Sequence, residues 1–410
     1  MIKYLRFIPN YWWYFNVLWG VLTMLQLKAW EGGFMKLAAV LGFLLILSKK
    51  TKINGVGLLV LVYIIYSLIS GILFSPVDVW QGSIVVSLLP ISFFFIGSSG
   101  YFSDNAFMKN MRWPILFAMI CAVFLYIFPP GWYVSWKTDF ITTENMKNSQ
   151  MFYERLRLSG FWAWPYYLGY MALFFLMIKL KQYFIDNKYD KLSLFEVLTA
   201  IIVLFMAQLR VTIAFLVVYY CLLIWYARKS HSSNIRKLVI VGLIGLVVIV
   251  LLIVALITFI GDAGLVEYIM SRTVDKNDNL VTERVNLFSQ YINSISFLGT
   301  GFGMHSHYLV TMDMKGAITD NDYIRLLNEV GILGALTVFA IIIYSLRRAF
   351  MNINSYFIEF CILLFLLVAM VGADPLEVPG LHTEVYWYCM GRVCSNFNIA
   401  RHDISSYGYL

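Results

Sequence analysis

From Leu238 to Ile260 the chain runs without one charged residue. A helix needs roughly 20 apolar residues to cross the hydrocarbon layer of a bilayer, so a stretch of this kind reads as a membrane span. It is not alone. Similar apolar runs occur at 11–27, 34–48, 55–74, 81–100, 113–129, 163–179, 193–209, 211–227, 329–346 and 356–372, with a polar one at 380–397. Only 13% of the residues are charged, against about 25% in a soluble domain. A chain so poor in charge cannot cover a water-facing surface. That excludes an ordinary soluble enzyme, a disordered chain, a disulfide scaffold and a nucleic-acid binder. The predicted fold class is all-α: a polytopic integral membrane protein with about 12 transmembrane helices, residues 1–410 forming one transmembrane domain.

The basic residues give the orientation. Lys and Arg concentrate in short cytoplasmic loops. Placing the N-terminus inside puts 19 of the 31 basic residues at the inner face, among them Lys49, Lys50, Lys179, Lys181, Arg228, Lys229, Arg236, Lys237, Arg347 and Arg348. An even number of spans then returns the C-terminus to the same side. Lys3 and Arg6 precede an aromatic run with no small-residue cleavage site, which predicts a retained first helix. Cys121, Cys221 and Cys361 fall inside apolar runs, and Cys389 and Cys394 do not have a metal-ligand spacing.

This topology leaves two long segments outside, 129–163 and 261–328. Loops of such length are uncommon unless they are functional. The first combines Trp132, Tyr133, Trp136, Trp162 and Trp164 with Arg155 and Arg157. Aromatic faces beside guanidinium groups suit sugar rings and phosphates, and an interfacial aromatic belt is the alternative. In the second, Val281, Val285, Phe288, Ile292 and Ile295 have helical spacing, which predicts a surface helix with Arg284 near its start. Gly299-Thr-Gly-Phe-Gly303 follows. It lacks the preceding strand of a nucleotide-binding loop and reads as a tight turn. Thr319 or Asp320 is the predicted N-cap of the next helix. Arg210 lies between two apolar runs at their outer ends, and an arginine at membrane depth calls for a cavity, a partner or snorkelling to the interface. An outer cavity offering Arg210, Arg157 and Arg284 would bind an anion strongly.

Taken in order, these segments resemble the O-antigen polymerase and O-antigen ligase superfamily over about the last 260 residues. The matching stretches are Arg157-Leu-Ser-Gly-Phe161 with Pro165 and Gly169, Arg210-Val-Thr-Ile-Ala214, Arg284 with the turn Gly299–Gly303, and Asp320-Asn-Asp-Tyr-Ile with Glu329-Val-Gly-Ile-Leu-Gly334. The ligase-type histidine position holds Asp320 here, which favours the polymerase branch. The resemblance implies a GT-C-type glycosyltransferase of the inner membrane, with its active site facing the periplasm. Its donor and acceptor would be undecaprenyl-diphosphate-linked oligosaccharides. The growing chain would pass to the non-reducing end of a new repeat unit, with a chain-length regulator and a flippase as possible partners alongside membrane lipid.

The residue types suit that chemistry. Cleavage at the anomeric carbon puts negative charge on a diphosphate, which fixed cations stabilise best in a water-poor site. The acceptor hydroxyl needs a base. The expected catalytic residues are Asp320, Arg210 and Arg284, with His307, His305 and Asp322 as further candidate bases. Arg157, Arg155, Asn321, Tyr323, His307 and His305 are the expected contacts to diphosphate and sugar. No acidic cluster is arranged to hold a divalent cation, so a metal-independent reaction without a cofactor is expected. A ligase acting on lipid A core and a polysaccharide flippase are the competing readings.

Overall fold

The computed structural model describes residues 7–25, 33–48, 54–99, 106–139, 151–152, 155–162, 164–188, 192–230, 234–240, 292, 295–305, 321–377 and 381–395. Among the described residues the ordered elements are helices, apart from a two-residue antiparallel pairing of β1 (Met151–Phe152) with β2 (Arg155–Leu156). Eleven of the predicted apolar runs coincide with a helix. These are α1 (Phe7–Met24), α2 (Gly33–Leu47), α3 (Gly55–Phe74), α4 (Val77–Ser98), α5 (Phe107–Ile127), α7 (Pro165–Phe184), α8 (Ser193–Ala207), α9 (Arg210–Lys229), α11 (Gly331–Met351), α12 (Ile353–Ala369) and α13 (Leu381–Cys394). Two shorter helices accompany them: α6 (Gly131–Asp139), which no apolar run predicts, and α10 (Asp322–Glu329), which starts near the predicted N-cap. The twelfth run, 238–260, lies outside the described residues except for its first three. Among the described residues, five helices (α3, α4, α5, α9 and α11) are long and apolar enough to cross a membrane. Large apolar side chains stay exposed along them, among them Leu73, Phe124, Val217 and Ile343, as expected where the surroundings are lipid.

The chain forms two compact units, residues 1–118 with 294–410 and residues 119–293. In the first, the end of α4 packs between α2 and α13. The helix axes approach closely because two glycines face the crossing. A Cβ on Gly97 would lie 3.0 Å from the Arg392 nitrogen, and one on Gly391 would lie 2.9 Å from the Phe94 Cα. Small residues at a crossing permit this backbone contact. Pro90 interrupts α4: it lacks an N–H and crowds the preceding turn, and the helix passes through a π turn (Ile84–Leu88) and a 3₁₀ turn (Leu89–Ile91).

Helix α13 explains why its run reads as polar. It is nearly all buried inside the first unit, with His382, Thr383, Glu384 and Arg392 enclosed by protein. Arg392 Nε lies 3.1 Å from Glu359 Oε1 of α12. A helix surrounded by helices can carry such groups, because protein and not lipid encloses them.

In the second unit α7 and α8 form an antiparallel pair and α9 returns alongside α7. Gln208 takes the left-handed conformation that ends α8, and Leu209 is extended, so α9 begins only three residues after α8 ends. Lys179 is not a solvated loop cation as its place in the sequence suggests. It is buried, 2.7 Å from Glu196 in the first turn of α8, because a carboxylate enclosed there requires a cation. The described part of the 129–163 segment is likewise not a plain loop. It contains α6, and Tyr133, Trp136 and Trp162 are buried in the unit while Trp132 is exposed.

Candidate functional site

The short helix α10 begins at Asn321. Its backbone is extended, and its side-chain oxygen accepts from the Ile324 N–H at 3.2 Å. Asn321 is therefore the N-cap, in place of the expected Thr319 or Asp320. Its Nδ2 also donates to Val371 O at 2.8 Å, which fastens the helix start to the link between α12 and α13. Asp322, Arg325 and Glu329 follow at i, i+3 and i+7, a spacing that puts all three on one side of the helix. That side is buried. Arg325 Nε donates to Asp322 Oδ1 at 2.8 Å, and Arg325 Nη1 donates to Glu329 Oε2 at 2.9 Å. Glu377, from the α12–α13 link, lies 3.6 Å from Arg325 Nε. Asp322 Oδ2 accepts from the Leu376 N–H at 2.8 Å. With Asp374, four carboxyl groups interact with one guanidinium. Burial pushes the Glu329 carboxyl above its usual range by more than Arg325 lowers it.

The glycine turn docks against the end of this helix. Thr300 N and Gly301 N donate to the Asn328 and Glu329 carbonyls at 2.7 and 3.2 Å, and the His305 N–H donates to Glu329 Oε1 at 3.0 Å. Gly299, Gly301 and Gly303 all have positive φ, as the tight-turn reading requires. At Gly299 a side chain is also excluded by space: its Cβ would lie 2.6 Å from the Gly331 nitrogen. Two stretches that the sequence separates by some twenty residues thus form one module.

The second unit holds the remaining described candidates. Arg157 is half-buried at the start of the Leu158–Phe161 turn, just after Arg155 in β2. Leu158 N donates to Met206 O at 3.3 Å, joining this turn to the end of α8, four residues before Arg210. Arg210 is exposed as the first residue of α9. The helix dipole disfavours a cation there and, with the free N–H groups, favours an anion beside it.

Helix α6 clamps the Arg157 turn. Tyr133 and Lys137, one helical turn apart, both reach it. Tyr133 Oη donates to Gly160 O at 3.0 Å. Lys137 Nζ donates to Trp162 O at 3.1 Å and bonds the Ser159 hydroxyl. Gly160 has φ +62°, and a Cβ there would sit 2.9 Å from that of Ala122. Burial pushes the Lys137 amine down to about 7 and the Tyr133 hydroxyl up to about 12.

Several expected site residues have structural bonds. Tyr323 Oη donates to Leu367 O at 2.8 Å. Asp322 is fully buried with both oxygens engaged, so it is not placed to take a proton from an acceptor. His305 is half-buried, its Nε2 3.1 Å from Thr300 Oγ1. Asp320, Arg284, His307 and the expected surface helix from Val281 lie outside the described residues, apart from helical Ile292 and the non-helical Ile295. Arg325, Glu377 and Lys137 escaped the sequence reading. The Asp-x-x-Arg-x-x-x-Glu spacing was the available signal for the first.

No protein-family model matches the chain, and no curated protein matches it significantly.

Proposed function

We propose that this chain is a membrane-embedded glycosyltransferase that polymerises lipid-linked oligosaccharide repeat units. It transfers a growing chain from undecaprenyl diphosphate to the non-reducing end of a new lipid-linked unit. One observation carries the reading: the glycine turn and the Asn321–Gly334 stretch, two separate pieces of the resemblance to O-antigen polymerases, fold into a single module. The tie between the Arg157 turn and the α8–α9 corner supports it, because Arg157 and Arg210 then belong to one end of the second unit. In this reading all twelve runs span the inner membrane in a GT-C arrangement. Both termini are cytoplasmic, and the arginines face the periplasm.

Each group has a chemical role. Arg210, at a helix N-terminus, and Arg157 bind the diphosphate and stabilise its charge as the anomeric bond breaks. Asp320 takes the proton of the acceptor hydroxyl. The Tyr133–Lys137 clamp holds the Arg157 turn, and the Arg325 cluster holds the helix that follows Asp320.

Purified protein given lipid-diphosphate oligosaccharide alone should yield a ladder of longer products and free lipid diphosphate. Arg210→Ala and Arg157→Ala should each abolish the ladder while the protein still accumulates in the membrane. Product formed only with lipid A core would indicate a ligase. Lipid translocation in vesicles without any new glycosidic bond would overturn the enzymatic reading.

A further inference from the structure

The opposite end of the second unit carries a separate concentration of charge. Helices α7 and α9 run in the same direction, so their C-termini meet about 30 Å from the Arg210 end, at roughly 1.5 Å per residue over 20 residues. The chain then turns back. Residues 235–240 begin a further helix, and Asn234 Nδ2 bonds Asn187 Oδ1 beyond the end of α7. The Tyr220 hydroxyl bonds Leu238 O, which fixes this helix start against α9. The two links gather Arg228, Lys229, Arg236 and Lys237 at one corner, all four exposed. Asp186, an acid just beyond the end of α7, is held by Lys181 at 2.9 Å.

The surroundings of the cations decide which anion fits. On α9 the exposed Trp225 lies one turn before Arg228 and Lys229, and Lys229 Nζ sits 5.6 Å from the centre of its ring. On the next helix, Val239 and Ile240 are exposed about one turn beyond Arg236 and Lys237. Tyr183 is exposed near the end of α7. Helix α9 and the helix that follows it thus show the same order, cations at the tip and exposed apolar or aromatic groups one turn inward. A soluble anion or a nucleic acid would use only the cations. A phospholipid uses both, its phosphate on the basic tips and its acyl chains along the apolar turns.

We propose that this corner is a binding site for the headgroup of an anionic phospholipid, such as phosphatidylglycerol, in the adjacent leaflet. The site is independent of the glycosyltransferase reading. The four cations act together on one headgroup layer, and Trp225 and Tyr183 set the depth of the corner at the interface.

The test is retention of phosphatidylglycerol by the full-length protein in neutral-detergent micelles, counted by native mass spectrometry as the lipid is titrated. The variant R228Q/K229Q/R236Q/K237Q should require about a thousandfold more lipid for equal occupancy, since each of the four cations near a charged surface contributes about 1 kcal/mol. Exchanging Arg228 and Arg236 for Lys should preserve binding, and high salt should weaken it. An unchanged thermal midpoint of the glutamine variant in phosphatidylcholine would show that it still folds. Equal retention by wild type and variant, equal retention of phosphatidylcholine, or displacement by free glycerol phosphate would each overturn the proposal. A variant that fails to fold would leave Trp225→Ala to decide, which should weaken phosphatidylglycerol retention severalfold.

Discussion

Two of the buried cations, one in each unit, are satisfied in different ways. In the first, Arg325 is enclosed by the carboxyl groups of Asp322, Glu329, Glu377 and Asp374, more groups than one guanidinium balances. In the second, Lys137 rests on a serine hydroxyl and the Trp162 carbonyl, and burial draws its amine down to about 7. The side chains suit these settings. The planar fork of arginine can serve several carboxylates at once and does not lose its proton. A lysine amine can discharge, and once neutral it still donates hydrogen bonds. The first cluster is a charged lock, whereas the second is a polar clamp that loses its charge near neutral pH.

Removing Arg325 should have the larger effect. Arg325→Met leaves several carboxyl groups buried without their cation, and breaking such a group typically costs about 3–5 kcal/mol. The variant should melt far below the wild type in detergent. The loss should shrink on acidification, because burial holds a carboxyl such as Glu329 above its ordinary range and protonation then favours the folded state. Arg325→Lys should recover only part of the stability, since an ammonium cannot reach Asp322 and Glu329 in the same geometry. A variant as stable as wild type at neutral pH would show that the cluster is not a lock.

Lys137→Met should cost less, about 1–2 kcal/mol for two hydrogen bonds, and its pH behaviour should run the other way. Between about 7 and 10.5 the unfolded chain holds the lysine proton and the folded chain does not. Unfolding therefore takes up a proton, and wild-type stability rises with pH across that window. The methionine variant should lose this slope. Melting temperatures of both proteins from pH 7 to 10 would check it, and an equal slope in both would assign the dependence elsewhere.

Much of this was legible in the sequence, and the omissions have physical causes. Helix positions followed the apolar runs closely because a lipid-facing helix must be apolar over most of its length. The Gly299–Gly303 turn was legible because only glycine tolerates three positive φ values so close together. Lys179 and α13 were misjudged because each was weighed against water or lipid, whereas their surroundings are other helices. The spacing of Asp322, Arg325 and Glu329 was visible as one helical face. Nothing local announced Glu377, which the chain returns to that face only after α11 and α12. Lys137 stood among tryptophans that resembled an interfacial belt, and burial of Trp136 and Trp162 is a tertiary fact.

Tyr133→Phe gives the smallest effect and separates the two arms of the clamp. It removes the 3.0 Å bond to Gly160 O and leaves the ring in place. The carbonyl it leaves is buried, so a loss of about 1 kcal/mol is expected. The Tyr133 hydroxyl is pushed up to about 12, so it keeps its proton throughout the range in which Lys137 titrates. The phenylalanine variant should therefore melt lower by a constant increment from pH 7 to about 9, below the range in which an unfolded tyrosine ionises, with its slope parallel to that of the wild type. If the slope flattened as it does in Lys137→Met, the two side chains would titrate as one unit and burial alone would not account for the lysine. If the increment vanished, Gly160 would be held by its backbone geometry, and the clamp would consist of Lys137 alone.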